Sequence, residues 1–235
     1  MRYRTSLLLV FLLLPVVGPD AAAQQAATST AAAPASVLDQ RRMPPISGDA
    51  KAGAGKATVC AACHGAQGVA IAPNFPNLAG QSASYLYAQL KEFHDGQRSD
   101  PVMSGQAATL SDGDMRDLAS YFASLAPKPA GQAGGSTRGA QLYLAGDPGL
   151  GIPPCQACHG PAGLGPQPQP SSAPQPPWAS FPRLRGQSAL YVAKQLGDFK
   201  RGARAGSSNA RVMHGVAQTL SDDDMQALSA YLNSL

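Results

Sequence analysis

The four cysteines of this 235-residue chain fall as two pairs, Cys60/Cys63 and Cys155/Cys158, and a histidine follows each pair at once, His64 and His159. Cys-x-x-Cys-His is the pattern by which a polypeptide takes up haem covalently. The spacing has a physical reason. Two thiols three positions apart sit on one helical turn, where both can form thioethers to the two vinyl groups of one porphyrin. The adjacent histidine then points under the ring and ligates iron from one face. The cofactors expected are therefore two covalently bound haem c groups, one per motif. Rival chemistries explain less. A zinc held by four thiolates needs the two pairs to converge and leaves both histidines unused. Short disulfides or a thiol-redox pair suit an oxidising compartment, but the pattern around them is not thioredoxin-like.

The iron's other axial ligand must come from elsewhere. Met103 and Met213 stand at equivalent places, seven residues before Leu110 and Leu220, in what reads as a loop between two amphipathic helices. A thioether there can reach across the haem, raise the reduction potential and fill the sixth site, which suits electron transfer and opposes substrate binding. Met115 and Met225 are equally matched but belong to an apolar helical stripe and read as core. His214 competes with Met213 and has no counterpart in the first copy, where Ser104 stands; His94 is likewise unmatched. Pro76 and Pro182 could present a carbonyl to the proximal histidine's other ring N–H, or simply stiffen a loop. Tyr85/Tyr191 and Gln81/Gln187 are matched pairs that could line the haem or serve ordinary packing.

Those matches come from a repeat. Phe75-Pro76-Asn77-Leu78-Ala79-Gly80-Gln81-Ser82 returns as Phe181-Pro182-Arg183-Leu184-Arg185-Gly186-Gln187-Ser188, and Thr109-Leu110-Ser111-Asp112 returns as Thr219-Leu220-Ser221-Asp222. A period of this kind means one domain used twice. Both copies read as helical. Leu86, Leu90 and Phe93 recur at helical spacing, as do Val192, Leu196 and Phe199, and the last helices carry Met115, Leu118, Phe122 and Met225, Leu228, Leu232. Ser111 and Ser221 are placed to cap the last helices, with Asp114 and Asp224 completing an aspartate capping box. First helices are expected from about Asp49 into the Cys60 region and from about Thr137 to Leu144. The reading is an all-α protein with domains at 48–126 and 136–235, a flexible Ala/Thr-rich leader at 24–47, a Pro/Gly linker at 127–135 and a Pro-rich, solvent-facing insertion at 161–178. A second added loop spans 144–154.

Residues 1–23 read as an export signal: Arg2 and Arg4 precede the apolar run Leu7–Val17, and Ala21-Ala22-Ala23 follows. The run is too short for a membrane span, although an uncleaved anchor is the alternative. The periplasm is the expected location. The net charge of +4 hides an asymmetry. Residues 49–127 carry five Lys/Arg against seven Asp/Glu, giving −2, and residues 129–235 carry eight against five, giving +3. For an exported protein, docking on protein partners explains such a dipole better than nucleic acid does. Solvated faces that differ by chance explain it equally well.

Both Cys-x-x-Cys-His motifs, the Phe-Pro loops, Gln89-Leu90 and Gln195-Leu196, Met103, Met213 and the Leu-Ser-Asp segments together resemble the dihaem cytochrome c4 family, over nearly all of residues 48–235. The resemblance implies two tandem class I cytochrome c domains, each wrapped around one haem, packed about a pseudo-twofold axis with the haem propionates near the interface. It implies Met103 and Met213 as distal ligands, and Pro76 and Pro182 as supports. It also implies a periplasmic electron carrier, soluble or membrane-associated, taking electrons from a donor such as a quinol-oxidising complex and passing them toward a terminal oxidase. The insertion at 161–178 is longer than the family pattern. The expectation is a carrier and not an enzyme. The alternatives are a cytochrome subunit held in a larger dehydrogenase complex, and a dihaem peroxidase, which would need an open iron with acid/base groups beside it.

Overall fold

A computed structural model describes residues 37–129, 131, 137–166 and 175–235. The export signal, the leader as far as residue 36, most of the linker and the centre of the Pro-rich insertion lie outside these described residues. The chain is all-α. Among the described residues, strand pairing is limited to three isolated bridges.

The first copy comprises α1 (Ala50–Lys56), α2 (Ala61–His64), α3 (Ala83–His94), α4 (Met103–Ala107) and α5 (Asp112–Ser124), and the second repeats it as α6 (Arg138–Ala145), α7 (Gln156–His159), α8 (Ala189–Lys200), α9 (Ser208–Gln218) and α10 (Asp222–Ser234). Helix starts follow from local chemistry. Asp49 and Thr137 cap α1 and α6 by accepting from backbone N–H groups of the first turn. Ser111 and Ser221 form reciprocal capping boxes with Asp114 and Asp224 at the starts of α5 and α10, satisfying donors that a helix leaves orphaned.

In each copy the first helix crosses the last one closely, and a glycine makes this possible. A Cβ on Gly53 would lie 2.1 Å from the Asp117 carbonyl oxygen, and one on Gly139 would lie 2.1 Å from that of Ala227. Around these crossings the apolar stripes form two cores. Leu86, Met115, Leu118 and Phe122 build the first, and Leu142, Tyr143, Met225, Leu228 and Leu232 the second. The loop added at 144–154 contributes Ile152 to the second core.

Two expectations need correction. Met103 and Met213 are not in loops: Met103 opens α4 and Met213 lies within α9. The Asp100 carboxylate accepts from the N–H groups of Val102 and Met103 and so starts a helical turn that apolar periodicity could not reveal. The end of the leader is also seated, not flexible. Leu38 donates to the Gly206 carbonyl (3.0 Å) and accepts from Ser208 N–H (2.9 Å). Gln40, only 3 % exposed, donates to Glu92 at 2.6 Å. Polar side chains with buried partners order this segment, a signal that low hydrophobicity conceals. Among the described residues no helix is long and apolar enough to cross a membrane.

Candidate haem sites

Each Cys-x-x-Cys-His motif is a single helical turn. Cys60 and Cys155 precede α2 and α7, whose backbones bond His64 N–H to the Cys60 carbonyl and His159 N–H to the Cys155 carbonyl, both at 3.0 Å. The chain must then reverse sharply. Gly65 and Gly160 do this with φ of +76° and +74°, and a Cβ on Gly65 would lie 1.9 Å from the Val69 carbonyl oxygen. A second clip closes the loop: Leu78 and Ala79 both donate to the Gly68 carbonyl, and Leu184 and Arg185 both donate to that of Gly163. The clip carries a proline carbonyl to each histidine. Nδ1 of His64 is 3.0 Å from Pro76 O, and Nδ1 of His159 is 3.0 Å from Pro182 O.

Both histidines are buried, and burial lowers their pKa against the opposing pull of the carbonyl bond. Each is therefore a neutral imidazole whose Nδ1–H donates to a carbonyl, which leaves the Nε2 lone pair available to a metal. The four cysteines are unpaired. Burial raises the pKa of the Cys60 thiol and pushes that of Cys155 up to about 11, so neither is poised as a thiolate. No group of three or more His, Cys, Asp or Glu among the described residues could hold a metal ion, so the two thiol pairs do not converge as a four-thiolate zinc site requires.

One continuous cavity of about 740 Å3 runs through both domains. Cys60, Cys63, His64, Pro76 and Met103 line it in the first domain; Cys155, Cys158, His159, Pro182 and Met213 do so in the second. The remaining candidates lie elsewhere. Met115 and Met225 are buried in the helical cores. His94 sits at the surface against Asp95, and His214 donates from Nδ1 to the Phe199 carbonyl at 2.6 Å. The residues present fit a covalently attached haem in each half: two thiols, a neutral imidazole and a thioether from each domain line this one apolar-walled cavity.

The glutamines matched across the repeat do something the sequence did not single out. Gln81 donates to the Arg183 carbonyl and accepts from Arg183 N–H, both at 2.8 Å. Gln187 does the same to Asn77, at 2.7 and 3.0 Å. The repeated Phe-Pro loop is thus the domain interface, docked on its own copy. Ser82 and Ser188 extend it by donating to the Ala179 and Pro73 carbonyls of the opposite domain. A residue that recurs in a repeat without belonging to a core stripe or a ligand set was the available clue.

A helical fold used twice, each copy built around one Cys-x-x-Cys-His turn, defines a two-domain c-type cytochrome. The cytochrome c family profile matches residues 50–126 and 136–235. Cytochrome c4 of Pseudomonas aeruginosa is 43% identical over 190 residues, covering 80% of this chain and 89% of that protein. The crystal structure of reduced recombinant cytochrome c4 from Pseudomonas stutzeri aligns with a TM-score of 0.71 at 40% identity, covering 80% of this chain and 100% of that one. A protein of Stutzerimonas stutzeri named thiosulfate dehydrogenase electron acceptor is 40% identical over 181 residues, covering 74% of this chain and 78% of its own. The chain belongs to the cytochrome c4 family. It is a dihaem electron-transfer cytochrome with a haem c in each of two tandem domains.

Proposed function

We propose that this chain is a periplasmic one-electron carrier between respiratory components, with axial pairs His64/Met103 and His159/Met213 and thioethers from Cys60, Cys63, Cys155 and Cys158. One observation carries the reading. In each domain a histidine whose Nδ1 is committed to a proline carbonyl, and a methionine from a separate helix, line the same cavity as the two thiols. Haem iron so enclosed supplies a reversible one-electron change. The protein's own part is positional. Pro76 and Pro182 hold the imidazole planes through Nδ1, and α4 and α9 carry the thioethers on helical backbone. Phe75 and Phe181 stand beside the histidines at ring-centroid distances of 6.2 and 6.4 Å and help to exclude water. Met213 is favoured over His214 because His214 is bonded to the Phe199 carbonyl and lies off the cavity.

The opposite net charges of the two domains support docking on redox protein partners, and the family resemblance supports a quinol-oxidising complex as donor and a terminal oxidase as acceptor. The apolar run near the N-terminus supports export, with peripheral membrane association compatible with the same segment. A second reading, a cytochrome subunit held beside a dehydrogenase, draws support from the relative named thiosulfate dehydrogenase electron acceptor. Ferric-state spectroscopy tests the first reading. Two low-spin haems with the methionine–iron band are expected, and Met103→Ala and Met213→Ala should each open one site to added ligands. A high-spin haem that turns over peroxide in the unsubstituted protein would overturn the carrier reading. Stoichiometric co-purification with a dehydrogenase would select the subunit reading.

A further inference from the structure

The two copies carry their methionines differently. Arg98 and Arg204, buried where the domains meet and joined by a backbone bridge, mark the same place in each copy. Each guanidinium donates to both Gln89 and Gln195, which fixes these two points relative to each other. From there four residues lead to Met103, and eight lead to Met213. The extra length forms the start of α9, and three other parts of the chain are fastened to that helix.

The first is the end of the leader. Leu38 bonds through its backbone to Gly206 and Ser208, and Gln40 N–H donates to the Ser208 hydroxyl at 3.0 Å. The Gln40 side chain reaches on to Glu92, so the leader spans from α3 of the first domain to α9 of the second. The second is the return of the Pro-rich insertion. Asn209 donates from Nδ2 to the Ser180 hydroxyl at 2.8 Å. Ser180 is buried and stands two residues before Pro182, whose carbonyl holds His159. This bond ties the proximal loop of the second haem site directly to the helix that carries Met213. The third is the end of α8, where the Phe199 carbonyl accepts from His214 at 2.6 Å and the Lys200 carbonyl from Gln218 at 2.7 Å. Among the described residues the first copy has none of these fastenings. Asp100 starts α4, and the Ser104 hydroxyl accepts from Asp100 N–H, so these bonds stay within one turn. Asn74, in the place of Ser180, is exposed, and among the described residues it makes no hydrogen bond to α4.

We propose that Gln40, Ser208, Asn209 and Ser180 are positioning residues for Met213, and that they keep the second haem closed while the first opens more readily to an added ligand. This rests on the axial pairs His64/Met103 and His159/Met213. A methionine leaves iron when the segment carrying it opens locally, and that opening is rarer the more bonds it must break. Entry of a small ligand therefore reads the brace at each haem separately.

The test mixes the full haem-loaded ferric protein with imidazole, at concentrations where the binding rate levels off at the rate of methionine release. The methionine–iron band is recorded first. Its absence from the second haem sinks the pair His159/Met213, and the brace with it; where the band is present, the kinetics judge the brace alone. Two phases are expected in the unsubstituted protein. Met103→Ala removes the release step from the first haem and should leave the slow phase in place, which assigns that phase to the second. Asn209→Ala and Ser208→Ala should each speed the slow phase by about five- to tenfold, as the loss of one net hydrogen bond implies, and leave the fast phase alone. Alanine is the better helix former, so a change of helix propensity by itself would slow this phase. Either variant decides the matter if the other fails to accumulate. A merely structural loss would lower the urea midpoint and quicken both phases together. That outcome, one shared rate for both haems in the unsubstituted protein, or a slow phase unmoved by the alanine variants would overturn the proposal.

Discussion

Gln81→Met removes one side of the domain interface while almost preserving side-chain volume. Gln81 is 4 % exposed and bonds both the N–H and the carbonyl of Arg183 at 2.8 Å. A net contribution near 1 kcal/mol for each of two hydrogen bonds gives a loss of about 2 kcal/mol, with more if water cannot reach the orphaned groups. For a chain of this size that corresponds to a midpoint lower by about 4–8 °C. Gln187→Met removes the mirrored pair on Asn77 and should cost a similar amount. Because both residues stitch one surface, the double variant should also divide a single cooperative unfolding transition into two, one per domain. The assay is thermal unfolding of the haem-loaded protein, followed in the far-ultraviolet for helix and in the haem band for each site. Unchanged midpoints in both single variants would refute the argument that these backbone-directed amides hold the domains together.

Two further outcomes follow from local geometry. Gly65→Ala forces a side chain into a backbone of φ +76° with its Cβ 1.9 Å from the Val69 carbonyl oxygen; a loss of more than about 1 kcal/mol is expected, read as a lower denaturation midpoint and a poorer yield of haem-loaded first domain. The Asp114 carboxylate accepts from Lys56 and from the Ser111 hydroxyl and N–H, which hold its pKa down at about 2. Its contribution to stability is therefore complete above the unfolded carboxylate value and is lost as pH falls from about 4 to about 2. Asp114→Asn should flatten the acid limb of the stability curve across that interval, measured by urea unfolding at several pH values; an unaltered limb would show that the Lys56 contact carries nothing.

How much of this was legible in the sequence depended on the kind of interaction involved. Helical stripes, capping boxes and the Cys-x-x-Cys-His turns are local, and Leu86, Ser111, Asp114 and Cys60 announce themselves by spacing alone. The repeat then extended local signals across the chain by pairing Met103 with Met213 and Gln81 with Gln187. It could not say what the paired glutamines bond, because their partners are backbone groups of Arg183 and Asn77, which carry no residue-type signature. Nor could periodicity anticipate α4, whose start depends on an aspartate capping a five-residue turn, or the docking of Gln40, whose partner Glu92 lies 52 residues away. Arg98 and Arg204 were within reach. They hold equivalent places in the repeat, just beyond the apolar stripes of α3 and α8, and a comparison carried past Phe93 and Phe199 would have met them.

The same arginines show why a duplicated domain need not give duplicated environments. The repeat places a carboxylate at equivalent positions of α3 and α8, Glu92 and Asp198, and differs by one methylene. Glu92 is 1 % exposed and turns inward, because Gln89 on its own helix and Gln40 from the leader both donate to it. Asp198 turns to Lys194 and Arg201 on its own helix and its flank, cations whose places in the first copy are held by Ala88 and Asp95. Each choice satisfies the carboxylate, so neither domain is strained by the difference. Yet the fixed charge around the interface guanidiniums is no longer symmetric: the first domain adds an inward anion, and the second spends its anion on surface cations. The charge asymmetry visible in the sequence as −2 against +3 therefore reaches the buried interface. The leader, through Gln40, helps to hold it there.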